Sequence, residues 1–187
     1  MDLYLHFGMH KTGTASIQHS LFHRLRADEW QYVRFRVPNG SAVVARAFGE
    51  GGLKSTTGAD AETENLSALR KRAAGQAEFE QALAALTAPR AVLSAEEIVS
   101  LDEGGLAQLV ASASKFASRI HAVGYVRSPK SYVESASQQI VRQMGKLWPS
   151  RGKPLNYRSH LEKFDNTLGP ENVVFWKFDS ASFPERD

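Results

Sequence analysis

The sequence predicts an α/β fold, a three-layer sandwich with a mostly parallel central sheet. Three observations carry that expectation. Short apolar runs recur at Leu3–Phe7, Arg90–Ser94, Ile120–Val126 and Asn172–Phe178. Segments with helical apolar spacing separate them, and such alternation is the pattern of parallel strands joined by crossover helices. The first run feeds directly into a glycine-containing loop and then a helix pattern, with no internal repeat anywhere in the chain.

Leu3, Leu5 and Phe7 alternate along the first strand, and from Thr14 onward Ile17, Leu21, Phe22 and Leu25 form one helical stripe. Gln31–Phe35 reads as a second short strand, closed by the turn Val37-Pro38-Asn39-Gly40, and Ser41–Phe48 as a short helix. Gly49–Asp60, "GEGGLKSTTGAD", is rich in Gly, Ser and Thr and reads as a surface loop that can serve as a lid. Ala61–Leu86 is helix-prone, with Phe79, Leu83 and Leu86 on one face and Gly75 marking an expected break.

After Pro89 come the strand Arg90–Ser94, a helix at Leu106–Phe116 and the strand Ile120–Val126. Ser128 and Pro129 supply N-cap and first-turn residues for a helix running to Met144. Trp148–Leu155, with two prolines and a glycine, reads as a linker, Tyr157–Leu168 as the last helix and Asn172–Phe178 as the last strand.

A chain of 187 residues with 42% hydrophobic and 23% charged residues is expected to fold as one domain over 1–187. A net charge of +3 and a pI near 9.2 suit an anionic ligand but fall short of a nucleic-acid footprint. The absence of cysteine excludes disulfides, thiolate metal sites and cysteine nucleophiles. The N-terminus lacks a basic segment and long apolar core, and no run approaches the roughly 18 apolar residues of a bilayer span, so a cytoplasmic protein is expected.

Chemistry concentrates in "LHFGMHKTGTAS". Gly8 and Gly13 have the spacing of a Walker A loop, giving the expected fold a P-loop-NTPase-like character. Thr14 and Ala15 nevertheless stand where that loop carries Lys and Ser or Thr, and the lysine, Lys11, lies inside the loop. A strand-to-helix loop gathers free backbone N–H groups at the positive end of the helix dipole. Lys11, Thr12, Thr14 and Ser16 add a charge and hydroxyls, so this loop is expected to bind an anion.

The stretch "HFGMHKTGTASIQ" resembles the 5′-phosphosulfate loop of sulfotransferases that use 3′-phosphoadenosine 5′-phosphosulfate (PAPS), especially bacterial and carbohydrate-directed ones. Those proteins usually carry Thr or Ser where this chain has Ala15. In their 3′-phosphate motif an Arg follows a later strand, with Pro two residues on and Ser eight residues on. "YVRSPKSYVESASQQ" has Arg127, Pro129 and Ser135 in that register, with Gln139 beyond. "VLSAEEI" resembles the strand-end Ser-x-Glu segment of the carbohydrate branch, and "VVFWKFDS" a later strand followed by Phe-Asp. Relatives normally continue with further helical sequence after that strand.

The resemblance implies that Lys11, Thr12, Gly13, Thr14, Ala15 and Ser16 hold the phosphosulfate and that Arg127 and Ser135 hold the 3′-phosphate. Lys11 would donate to the bridging oxygen, removing the need for a metal. Glu96 is the candidate general base, with Glu97 as its neighbouring alternative. The acceptor would be a hydroxyl or amine of a carbohydrate, lipid or small metabolite. His6 is expected to be a hydrogen-bonded strand histidine, whereas His10 sits beside Lys11. Trp148, Arg151, Lys153, Tyr157 and Arg158 can form a ligand rim or simply a solvated face. A nucleotide kinase or NTPase, and a non-catalytic nucleotide-binding module, are the competing readings.

Overall fold

The computed structural model describes residues 1–9, 12–25, 28–49, 59–144 and 157–179. Outside the described residues lie His10, Lys11, positions 50–58 of the expected loop and the linker Trp148–Leu155 with its Trp148, Arg151 and Lys153. The Gln139 side chain lies outside them too. Five strands, β1 (Asp2–Gly8), β2 (Trp30–Tyr32), β3 (Arg90–Ser94), β4 (Arg119–Val126) and β5 (Val173–Lys177), form one sheet in the order β2-β3-β1-β4-β5. Every pairing is parallel, with Leu3 opposite Ala91 and Ile120, and His6 opposite Ser94.

Parallel strands need crossover connections, and helices supply them. They are α1 (Thr14–Arg24), α2 (Ser41–Phe48), α3 (Ala59–Ala84), α4 (Glu103–Ala113), α5 (Pro129–Met144) and α6 (Tyr157–Leu168). In β1 the odd-numbered side chains Leu3, Leu5 and Phe7 are buried, and they share one apolar core with Val44 and Phe48 of α2, Phe79 and Leu83 of α3, Leu106 and Leu109 of α4, and Phe164 of α6. Period-two alternation puts Tyr4 and His6 on the opposite face. There Tyr4 packs on Trp30, and Phe22 of α1 meets Tyr32 edge-on at 6.0 Å. Helices thus cover both faces, in agreement with the expected three-layer sandwich.

Most element ends shift by one to three residues from the sequence expectation, and three differences have a clear physical reason. β2 is Trp30–Tyr32 rather than Gln31–Phe35, because after one further backbone bond from Val33 to Val92 the chain turns away. The Tyr32 hydroxyl donates to Pro38 O at 2.7 Å and Arg34 folds back over the Phe22 ring. α4 starts three residues before Leu106, at Glu103, because Asp102 caps it by accepting from the Gly105 N–H. α3 begins at Ala59, so the last two residues of the expected loop are helical, and it runs unbroken through Gly75. That glycine marks a close approach: a Cβ there would sit 2.9 Å from the Ala47 backbone nitrogen of α2.

The connection leaving β1 runs toward the β2 edge, whereas the one leaving β4 runs toward the β5 edge. Where neighbouring parallel strands part in this way, a crevice opens beyond their C-terminal ends. The residues following Gly8 and Val126 flank that crevice.

Candidate functional site

β1 delivers the chain into the crevice through Gly8 and Met9, whose N–H donates to Tyr125 O of β4 at 3.2 Å. Gly13 then adopts φ 71°, a left-handed conformation that costs glycine little, and serves as N-cap of α1. No acidic residue stands in the first turn of α1, so that turn itself carries no charge against the positive end of its dipole. The first N–H groups of such a helix lack intrahelical acceptors and face outward.

Thr12 and Thr14 are buried, and their hydroxyls are 3.2 Å apart. Thr12 Oγ1 donates to Met9 O at 2.7 Å, so the proton shared between the two hydroxyls comes from Thr14. Both threonines therefore brace the loop from within. The bracing depends on Gly8: a Cβ there would collide with Thr12 Oγ1 and lie 2.6 Å from Thr14 Oγ1. Gly8→Ala is accordingly expected to cost about 1–3 kcal/mol by overpacking. Urea unfolding measures this loss as a lower midpoint.

Arg127 directly follows β4. Its Nε donates to Ser131 Oγ at 2.5 Å, and its guanidinium lies 5.5 Å from the ring centroid of Phe178, within cation–π range. Phe178 is fixed by its own N–H, which donates to Val126 O at 2.7 Å, and its ring would be 3.5 Å from a Cβ on Gly13. One aromatic ring therefore lies beside both the glycine loop and the Arg127 guanidinium. Tyr157 of α6 donates its hydroxyl to Arg127 O at 2.6 Å, and burial, with a smaller contribution from Tyr132, raises its pKa so that it stays a donor.

At the end of β3, Glu96 and Glu97 open a short 3-10 helix, Glu96–Ser100. Both are partly buried, and the Glu97 N–H donates to Ser41 Oγ at 3.1 Å. Glu97 also lines a groove of about 720 Å³ together with Gly49, Asp102, Glu103, His160 and Lys163. Lys163 is buried, donates to Val99 O at 2.7 Å and to Leu101 O, and so ties α6 to this turn. Burial lowers its pKa to about 8.

His6 meets the expectation of a bonded strand histidine, its Nδ1 lying 2.6 Å from Ser94 Oγ. Its Nε2 is buried with no hydrogen-bond partner, and burial lowers the pKa to about 4. A base that stays neutral in the fold but protonates in the unfolded chain makes stability fall as pH drops from about 6.5 toward 4. Over that window the loss is expected to reach roughly 3 kcal/mol, read as a lower urea midpoint at acid pH, and His6→Asn should lack it.

The sequence-selected residues that are described cluster at one end of the sheet, Lys11 lying outside the described residues. Thr12, Gly13 and Thr14 belong to the loop, Arg127 lies beside the same Phe178 ring as Gly13, and Glu96 follows the adjacent strand β3. Ala15 and Ser16 are exposed on the first turn of α1, and Ser135 is partly buried on α5 two turns beyond Arg127. Ser131 and the bridging position of Phe178 were not singled out by sequence. A serine four residues after an arginine, one turn into a helix, was the available signal. Among the described residues no group of three or more His, Asp or Glu is arranged to hold a metal ion, and no helix is long and apolar enough to cross a membrane.

These features define an α/β protein whose strand–loop–helix opens on the crevice of a parallel sheet. The same fold is found in the crystal structure of a sulfotransferase from Alicyclobacillus acidocaldarius, at a TM-score of 0.55 and 16% identity over 94% of this chain and 72% of that one. The sulfotransferase domain from the curacin biosynthetic pathway also matches, at a TM-score of 0.45 and 12% identity, over 94% of this chain and 66% of that one. No family model matches the sequence, and no curated protein does.

Proposed function

We propose that this chain is a PAPS-dependent sulfotransferase, transferring a sulfuryl group to a hydroxyl or amine and releasing 3′-phosphoadenosine 5′-phosphate. The observation that carries this reading is that the Gly13 loop and Arg127 both lie beside Phe178. A nucleotide with phosphate at both ends of its ribose needs two anion sites. A nucleoside triphosphate, with all its phosphates on one end, does not. The sulfotransferase fold of the neighbour supports the same conclusion.

In the reaction, the acceptor oxygen or nitrogen forms a bond to sulfur while the bond from sulfur to the bridging oxygen of the donor breaks. The electron pair of that bond stays on the phosphate of the leaving nucleotide. Charge growing there is met by Lys11 and by the backbone N–H groups at the start of α1, an electrostatic role that needs donors held in place beforehand. Arg127 and Ser135 hold the 3′-phosphate, fixing the sulfuryl group in line with the acceptor. Glu96 takes the acceptor proton, and Glu97, facing the groove beyond α2, is the alternative base.

The acceptor is a carbohydrate, lipid or small metabolite. Transfer of radiolabelled sulfate from PAPS to a panel of such acceptors, run with excess EDTA, tests the reading. Labelled product is expected at an undiminished rate. Phosphoryl transfer from ATP that stops on adding EDTA would instead make the chain a nucleotide kinase.

A further inference from the structure

Arginine is flexible, and ordering its long side chain against a ligand costs conformational entropy unless the fold has already set its plane. Arg127 stands where such ordering matters, at the first position after β4 and before the α5 helix begins at Pro129. Three contacts restrain it. Ser131 Oγ accepts from Nε at 2.5 Å, the Phe178 ring backs the guanidinium at 5.5 Å, and the Tyr157 hydroxyl holds its backbone carbonyl at 2.6 Å.

Ser131 is itself set by the helix start, since its N–H donates to Ser128 Oγ at 3.4 Å in the first turn of α5. With Nε bonded to Ser131, the plane of the guanidinium is set relative to the start of α5. A hydroxyl that accepts from Nε also keeps its own proton to donate, so Ser131 can add a bond on the same side.

Resting on the 3′-phosphate role given to Arg127 above, we propose that Ser131 is a positioning residue that locks the Arg127 guanidinium by its Nε and thereby sets the selectivity of the site for a ribose 3′-phosphate. Ser131 lies outside the Arg, Pro and Ser positions of the sequence motif. Its effect is exerted through Arg127, so it should be invisible to a nucleotide that lacks the 3′-phosphate.

Calorimetry of the full chain with 3′-phosphoadenosine 5′-phosphate and with adenosine 5′-phosphate tests this. Ser131→Ala, which places a strong helix former in the first turn, should lower affinity for the bisphosphate by roughly tenfold, the equivalent of one hydrogen bond to a charged group. Affinity for adenosine 5′-phosphate should stay unchanged. Ser131→Thr, which keeps the hydroxyl, should restore the preference, and Ser131→Ala should have no further effect once Arg127→Ala is present.

An unchanged preference in Ser131→Ala, or an equal loss for both nucleotides, would overturn the positioning role while leaving the nucleotide reading intact. Equal binding of the two nucleotides by the unaltered protein would remove the 3′-phosphate site altogether, and the proposal with it.

Discussion

Replacing Lys11 by alanine is expected to lower the rate of sulfuryl transfer from PAPS by about a hundred- to a thousand-fold, the effect of removing one donor from a site of developing charge. The expectation follows from where charge appears. The donor carries its negative charge before reaction on the sulfuryl and phosphate oxygens, and the bridging oxygen gains more only as its bond to sulfur breaks. A cation matched to that oxygen acts mainly in the transition state, so kcat should fall far more than nucleotide affinity. Lys11 lies outside the described residues, but its neighbour Thr12 is pinned to Met9 O inside the loop. Single-turnover kinetics alongside calorimetry separates the two quantities. A variant turning over PAPS at the unaltered rate would remove Lys11 from the chemistry.

The second large effect is on the fold beneath the loop. Phe164 of α6 stacks on Phe7 at 4.2 Å with the rings nearly parallel, and both pack edge-on against Phe175 of β5. Phe7 immediately precedes Gly8, so this aromatic cluster is the floor on which the loop stands. Phe164 is fully buried, and Phe164→Ala is expected to cost about 3–5 kcal/mol, a large share of the typical stability of a domain. Urea unfolding should show it as a lower midpoint with little change in slope. A loss below about 1 kcal/mol would mean that the cluster does not support the sheet as described.

How much of this was legible in the sequence depended on whether the cause was local. The glycine loop could be read because its requirements lie within a few residues: a strand end, a glycine able to take positive φ and a helix start without acidic residues. Tyr157–Leu168 and Ser41–Phe48 were legible to the residue. Gly75 was misread as a helix break because its reason is the backbone of α2, which sequence places far away. β2 was misplaced because it is an edge strand whose end is set by Tyr32 and Arg34 bonding outside the sheet.

In the candidate site, residue types were legible and their partners were not. Thr12 and Thr14 read as outward donors, yet their hydroxyls are turned inward on Met9 and on each other. Phe178 read as a strand-end aromatic, and only the parallel pairing of β4 with β5 brings it beside Gly13 and Arg127. Such juxtapositions arise from crossover topology, which periodicity along the chain does not encode.

The central claim is that two anion sites, the Gly13 loop and Arg127, together read a nucleotide phosphorylated at both ends of its ribose. Calorimetry in EDTA with 3′-phosphoadenosine 5′-phosphate, adenosine 5′-phosphate and ATP measures this most directly. The bisphosphate is expected to bind at least about tenfold more tightly than either competitor, the equivalent of one strong phosphate contact. Equal affinity for the nucleotide without its 3′-phosphate, or a preference for ATP that appears only with Mg²⁺, would contradict it.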